Sequence, residues 1–190
     1  EDPNYDLFKL SMQVACKRLF PNFSFQDSSF NKQYGPEEVA YMGCRTRVIG
    51  NVNGPEVTDG RGNLAFTTIN LPRLGILAEG DLVKFWASLD TMFDLAVKEL
   101  KMRDFPFLMG QHLYVGSENL GPNDTIEPAI VNGTLSVGFI GLAETLLALT
   151  GKHHGESDES QALGLSIVSH LNRKCQEATE KYHLNFSLFA

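Results

Sequence analysis

Residues 134–151, TLSVGFIGLAETLLALTG, run from a β-branched, apolar segment into a helical one with a single glycine between them, and Gly151 closes the helix. The same order precedes it. LAFTTIN (64–70) is β-branched and aromatic, and after Gly80 the residues Leu82, Phe85, Trp86, Leu89, Met92, Phe93, Ala96 and Leu100 follow a helical period. Downstream, Leu163, Ile167, Leu171, Cys175, Ala178 and Tyr182 line one face of a second long helix that Ser157 or Asp158 can cap, and HLNFSLF reads as a strand. Strands that alternate with helices predict an α/β protein with a largely parallel sheet.

The rest of the chain is weaker in pattern. Residues 6–20 place Leu7, Leu10, Val14 and Ala15 on one side, an amphipathic helix that stops before Pro21. NFSFQ alternates like a short strand, and 26–38 reads as a polar loop. EVAYM reads as a short buried strand running into Gly43 and Cys44. Residues 50–63 carry Gly50, Gly54, Gly60 and Gly62 among asparagines and a proline, which predicts a long turn-rich loop. LPRLG (71–75) is expected to be a turn, and 115–128 another irregular loop. With no repeat, low-complexity tract or linker, one domain is expected over 1–190.

A net charge of −7 argues against nucleic acid or an anionic membrane as the main partner, though not against a local basic pocket for a phosphorylated small molecule. No apolar run reaches the roughly 20 residues of a membrane span, and no signal peptide opens the chain. It starts EDPNYDL, without Met, and stops at NFSLFA, so a fragment of a longer protein is expected. Cys16, Cys44 and Cys175 are widely spaced with no CxxC pair, which disfavours a cysteine-built zinc site and fits a reduced, cytoplasmic chain. The sequons at Asn22, Asn123, Asn132 and Asn185 are therefore read as chance.

Three places carry candidate chemistry. Cys44, in AYMGCRTRVIG, sits between a glycine and Arg45 with no histidine nearby to make a thiolate. It reads either as a packing cysteine or as a cavity thiol on a Gly-flanked turn. GRGN (60–63) is only a weak match to a phosphate-cradling loop, because it leads into a strand and not a helix. His153, His154, Glu156 and Asp158 cluster as a metal site would, yet adjacent histidines point apart and HExxH spacing is missing. A solvated loop leading into a helix, with acids favoured by its dipole, accounts for them better, and no metal site is expected. The residues alone stop at an α/β domain with a candidate cavity thiol.

Longer stretches are more specific. AYMGCRTRV, GRGNLAFTTINLPRLGI, FLMGQ, NGTLSVGFIGLAETLLALTGKHHGES and YHLNFSLFA, taken in order, resemble the anaerobic (class III) ribonucleoside-triphosphate reductases, a glycyl-radical enzyme family. The resemblance implies that 1–190 is part of a ribonucleotide-reductase α/β barrel, with a finger loop at about 43–63 that carries the radical cysteine, Cys44. It implies that a thiyl radical on Cys44 takes hydrogen from the 3′ carbon of a ribonucleoside triphosphate. That chemistry needs a dry, shaped cavity and no thiolate-forming base. Gly43 would give the backbone room to approach. Asn63, and with it Thr46, would assist departure of the 2′-hydroxyl, although Asn63 also reads as a cap on the 64–70 strand. Arg45 would contact substrate or serve with Arg47 in structural ion pairs. His153, His154 and Glu156 stay as substrate-side candidates.

The resemblance places the glycyl radical and a second cysteine outside this segment, with formate as reductant. It implies a radical-generating activase that uses S-adenosylmethionine and an iron–sulfur cluster, ATP and dATP as effectors, and a homodimer in the full-length enzyme. Two other functions are expected to compete: a non-catalytic nucleotide-binding module on the same fold, and a metal-dependent hydrolase built on His153, His154 and Glu156.

Overall fold

The structure, a computed structural model, describes residues 3–35, 41, 47, 50–58, 60–102 and 131–189. The chain divides into two compact units, Glu1–Ala40 and Tyr41–Ala190. In the first, α1 (Tyr5–Arg18) is close to the predicted helix, but its apolar stripe buries no residue. A 40-residue unit offers such a stripe little to pack against. The strand expected at NFSFQ does not form. The Phe25 carbonyl accepts from Asn31 Nδ2 at 2.7 Å and from the Ser28 N–H at 3.2 Å, so its hydrogen-bonding capacity is used in a turn.

The second unit holds β1 (Asn63–Asn70), α2 (Leu71–Ala78), α3 (Leu82–Lys101), β2 (Thr134–Ile140), α4 (Leu142–Thr150), α5 (Asp158–Tyr182) and β3 (Asn185–Phe189). The three strands form a parallel sheet in the order β1-β2-β3, as the alternation of strands and helices predicts. EVAYM and 115–128 lie, apart from Tyr41, outside the described residues.

Both long helices form where the apolar period places them. Asp81 caps α3, its Oδ1 accepting from the Val83 and Lys84 N–H groups at 2.8 and 3.1 Å. Ser157, rather than Asp158, caps α5 by accepting from the Ser160 N–H at 3.2 Å. Phe85, Leu89, Phe93 and Leu100 of α3 meet Ile167, Leu171 and Cys175 of α5 in one core with Ala65, Ile69, Leu135, Val137 and Phe186 of the sheet. Each fully buried Leu, Ile or Phe contributes about 1.5–3 kcal/mol relative to exposure. Burial pushes the Cys175 thiol up to about 12, so this cysteine packs and does not ionise.

Along the rim of the core, His170 Nε2 lies 2.7 Å from Asp90 Oδ1, and Lys174 Nζ donates to Asp94 at 3.0 Å. Burial raises the Asp90 carboxyl, but the His170 hydrogen bond and the Lys174 charge outweigh it and hold the group below its ordinary value.

LPRLG is not a turn. It opens α2, because the Asn70 side chain accepts from the Arg73 N–H at 3.1 Å and Pro72 sits in the first turn, where no intrahelical donor is needed. Leu71, Leu74 and Ala78 are buried on the side that meets α4. At the start of α4, Gly141 adopts φ +72° and an added Cβ would fall on the Pro72 ring. Among the described residues no helix is long and apolar enough to cross a membrane.

Gly141→Ala combines backbone strain with a forced shift of α2, and it should destabilise the protein by about 2–4 kcal/mol. A lowered denaturation midpoint checks this; an unchanged midpoint would mean that α2 does not pack as described.

Candidate functional site

The sheet has two unlike faces. Ala65, Ile69, Leu135, Val137 and Phe186 point into the helical core. The alternate positions of β2 and β3, Thr134, Ser136, Asn185 and Ser187, are polar, and the register irregularity between Asn63 and Ala65 brings Asn63 of β1 onto the same face; all gather at the N-terminal ends of the strands. Ser136 is wholly buried and Thr134 nearly so. Ser136 Oγ lies 3.0 Å from the Asn63 carboxamide and 3.1 Å from Ser187 Oγ, a polar row across all three strands. One step up the strands the Phe66 and Phe189 rings meet edge to face, 6.1 Å apart. They reach across Gly138, where an added Cβ would lie 3.0 Å from the Phe189 ring and 3.1 Å from Thr68 Oγ1.

The loop that leads into β1 is tied to these strand starts by amides. Asn51 Nδ2 donates to Asn132 Oδ1 at 2.8 Å, and Asn51 Oδ1 accepts from Asn185 Nδ2 at 3.1 Å. Asn185 Oδ1 accepts from the Val52 N–H at 2.9 Å, and Asn53 Nδ2 reaches the carbonyls of Val131 and His183 at 3.0 and 3.1 Å. Arg61 spans the loop, donating to the Gly50 carbonyl at 2.7 Å and to the Asn132 carbonyl. Burial holds the Arg61 guanidinium below its ordinary pKa, with the nearby Glu56 opposing. Residues 50–58 and 60–62 are irregular, as predicted, yet pinned. Asn185 is only 5% exposed with its amide engaged, which leaves no room for a glycan on its sequon.

Of the sequence-predicted site residues, Asn63 stands at the edge of the polar face. Gly43, Cys44, Arg45 and Thr46 lie outside the described residues. Arg47 is described, and it lines a cavity of about 390 Å³ with Asn51, Glu56, Thr134, Asn185 and Ser187. His153, His154 and Glu156 share a self-closed loop: the His153 N–H donates to Glu156 Oε2 at 2.9 Å, and the Gly155 N–H to His153 Nδ1 at 3.0 Å. None of the hydrogen bonds described for these three residues reaches the Asn63 row. Among the described residues no group of three or more His, Cys, Asp or Glu side chains is placed to hold a metal ion.

Ser136, Ser187 and Thr134 were not expected as site residues. Their signal was available: in TLSVGF and NFSLF the polar residues occupy every second position, which puts them on one face.

A sequence model of the family described as anaerobic ribonucleoside-triphosphate reductase matches residues 1–190, the whole chain. The chain belongs to that family. The anaerobic ribonucleoside-triphosphate reductase of Escherichia coli strain K12 is 33% identical over 202 residues, covering all of this chain and 28% of that protein. That of enterobacteria phage T4 is 28% identical over 208 residues, all of this chain and 32% of that protein. The chain thus spans under a third of the length of these family members.

Among solved structures, the Thermotoga maritima anaerobic ribonucleotide reductase with glycerol in the active site aligns with 80% of this chain and 24% of its own, at TM-score 0.53 and 19% identity. The same enzyme in complex with dATP and CTP aligns with 68% of this chain and 22% of its own, at TM-score 0.54 and 17% identity. The parallel α/β arrangement is therefore that of part of an anaerobic ribonucleotide reductase.

Gly138→Val should force the Phe66–Phe189 pair apart and lower stability by about 1–3 kcal/mol, read as a lower melting temperature of the family's full-length chain. An unchanged melting temperature would show that the rings do not close over this glycine.

Proposed function

We propose that residues 1–190 are a segment of the catalytic barrel of an anaerobic ribonucleoside-triphosphate reductase, and that Cys44 carries the thiyl radical that opens the reaction. The observation that carries this is the family match over the whole chain, with MGCRT at 42–46 and GRGN at 60–63 in the family's order. In the first step the 3′ C–H bond of the ribose breaks and an S–H bond forms on Cys44. A hydrogen atom moves, not a proton, so the lack of a histidine near the thiol is no obstacle.

Asn63 would then hold a ribose hydroxyl as the 2′-oxygen departs, with Thr46 as a second hydroxyl contact. Gly43 and Arg45 would shape the approach around the thiol, with the finger at about 43–63. Support comes from Arg47, three residues beyond Cys44: it lines the cavity at the strand starts, and three residues of chain span at most about 11 Å. We assign His153, His154 and Glu156 no chemical step, because their described bonds stay within their own loop.

The glycyl radical, which generates the thiyl, would come from outside this segment, as would a second cysteine. Formate would serve as reductant, and a radical-generating activase with S-adenosylmethionine and an iron–sulfur cluster as partner. ATP and dATP as effectors, a homodimer and a cytoplasmic setting belong to the same proposal. Family membership disfavours both the non-catalytic nucleotide module and the metal-dependent hydrolase.

In the full-length reductase, activated by its partner, Cys44→Ala should abolish deoxynucleotide formation. Cys44→Ser should do the same, because an O–H bond is too strong to replace the thiol. Normal turnover by either variant would overturn the proposal.

A further inference from the structure

The Asn63 carboxamide sits among acceptors. One end of it lies 3.1 Å from the Thr134 carbonyl, 3.2 Å from the Ala65 carbonyl and 3.0 Å from Ser136 Oγ. Carbonyls only accept, so the amide nitrogen must occupy that end. Its two hydrogens then face three acceptors, all belonging to the sheet, and Oδ1 is turned to the other side. Ser136 accepts from this nitrogen, and its own proton is free to point to Ser187 Oγ at 3.1 Å. Ser136 is 0% exposed, whereas Asn63 is exposed. A wholly buried hydroxyl therefore backs an amide that faces outward.

Two of these three acceptors are backbone carbonyls, and both belong to an irregular stretch of the ladder. Asn63 and Ala65 flank an irregularity in the β1–β2 register, where Asn63 pairs with Thr134 and Ala65 with Leu135. A bulge re-aims a side chain and loosens the ladder around it. The Ser136 hydroxyl, at 3.0 Å the shortest of the three contacts, adds a side-chain restraint to the two carbonyls, and Ser187 on the third strand orients that hydroxyl in turn.

We infer that Ser136, backed by Ser187, is a positioning residue that fixes the Asn63 carboxamide with its oxygen toward the ligand, as an acceptor for a sugar hydroxyl. This rests on the proposal above that Asn63 meets the ribose. Ser136 itself touches no substrate.

The test uses the full-length reductase with its activating partner and four variants: Asn63→Ala, Ser136→Ala, Ser187→Ala and the Asn63→Ala/Ser136→Ala double variant. Ser136→Ala should lower kcat on the order of tenfold to a hundredfold with little change in KM for the nucleotide. Ser187→Ala should lower it in the same direction by less. On the Asn63→Ala background, Ser136→Ala should add nothing, because its route to the reaction is gone.

Thermal unfolding of each variant serves as the folding control, and if Ser136→Ala does not fold, Ser187→Ala measured on both backgrounds decides. Wild-type turnover by Ser136→Ala, or an equal loss on both backgrounds, overturns the inference while the role of Asn63 stands. Wild-type turnover by Asn63→Ala overturns the role of Asn63 and the inference with it.

Discussion

The Asn51 carboxamide joins three pieces of chain that are distant in sequence. Its nitrogen holds Asn132, just before β2, and its oxygen holds Asn185, the first residue of β3. Asn185 returns a bond to the Val52 N–H, so loop and sheet each satisfy groups the other would leave bare. Each such bond contributes only about 1 kcal/mol net, but a buried amide stripped of its partner loses about 1–3 kcal/mol. The arrangement therefore resists partial loosening. An irregular segment rich in glycine and asparagine, which in isolation would lose much conformational entropy on ordering, is held in place at the strand starts.

With the loop tied there, the two faces of the sheet divide the labour. Helices α3 and α5 cover the apolar face and supply the stability. The opposite face carries Asn63, Thr134, Ser136 and Ser187 beside the Phe66–Phe189 pair; Ser136 is wholly buried, and its hydroxyl is partnered on both sides, by Asn63 and by Ser187. Polar groups that cross-brace one another across three strands are stiff. Stiffness suits the role proposed for this face, which needs one fixed geometry around Asn63.

The apolar period was strong enough in sequence to reveal α3, α5 and all three strands, because each buries a face on the shared core. It failed where local chemistry outranked period. LPRLG contains a proline and a glycine and reads as a turn, but the Asn70 cap and the first-turn position of Pro72 make it the start of a helix. NFSFQ has strand alternation and no partner strand among the described residues, so Asn31 bends it into a turn. Asn63 was singled out through the family motif, not through its spacing. Ser136 and Ser187 were legible in the alternation of TLSVGF and NFSLF, but only pairing three strands in register turns two serines into a row with Asn63.

The amides of Asn51, Asn132 and Asn185 hold the loop into β1 against the strand starts. Hydrogen exchange on the full-length chain, native against Asn185→Ala, tests it most directly. In the variant the amides of 50–62 should exchange faster while those of α3 and the α5 core keep their protection. Unchanged exchange at 50–62, or a loss of protection spread evenly through the helices, would contradict it.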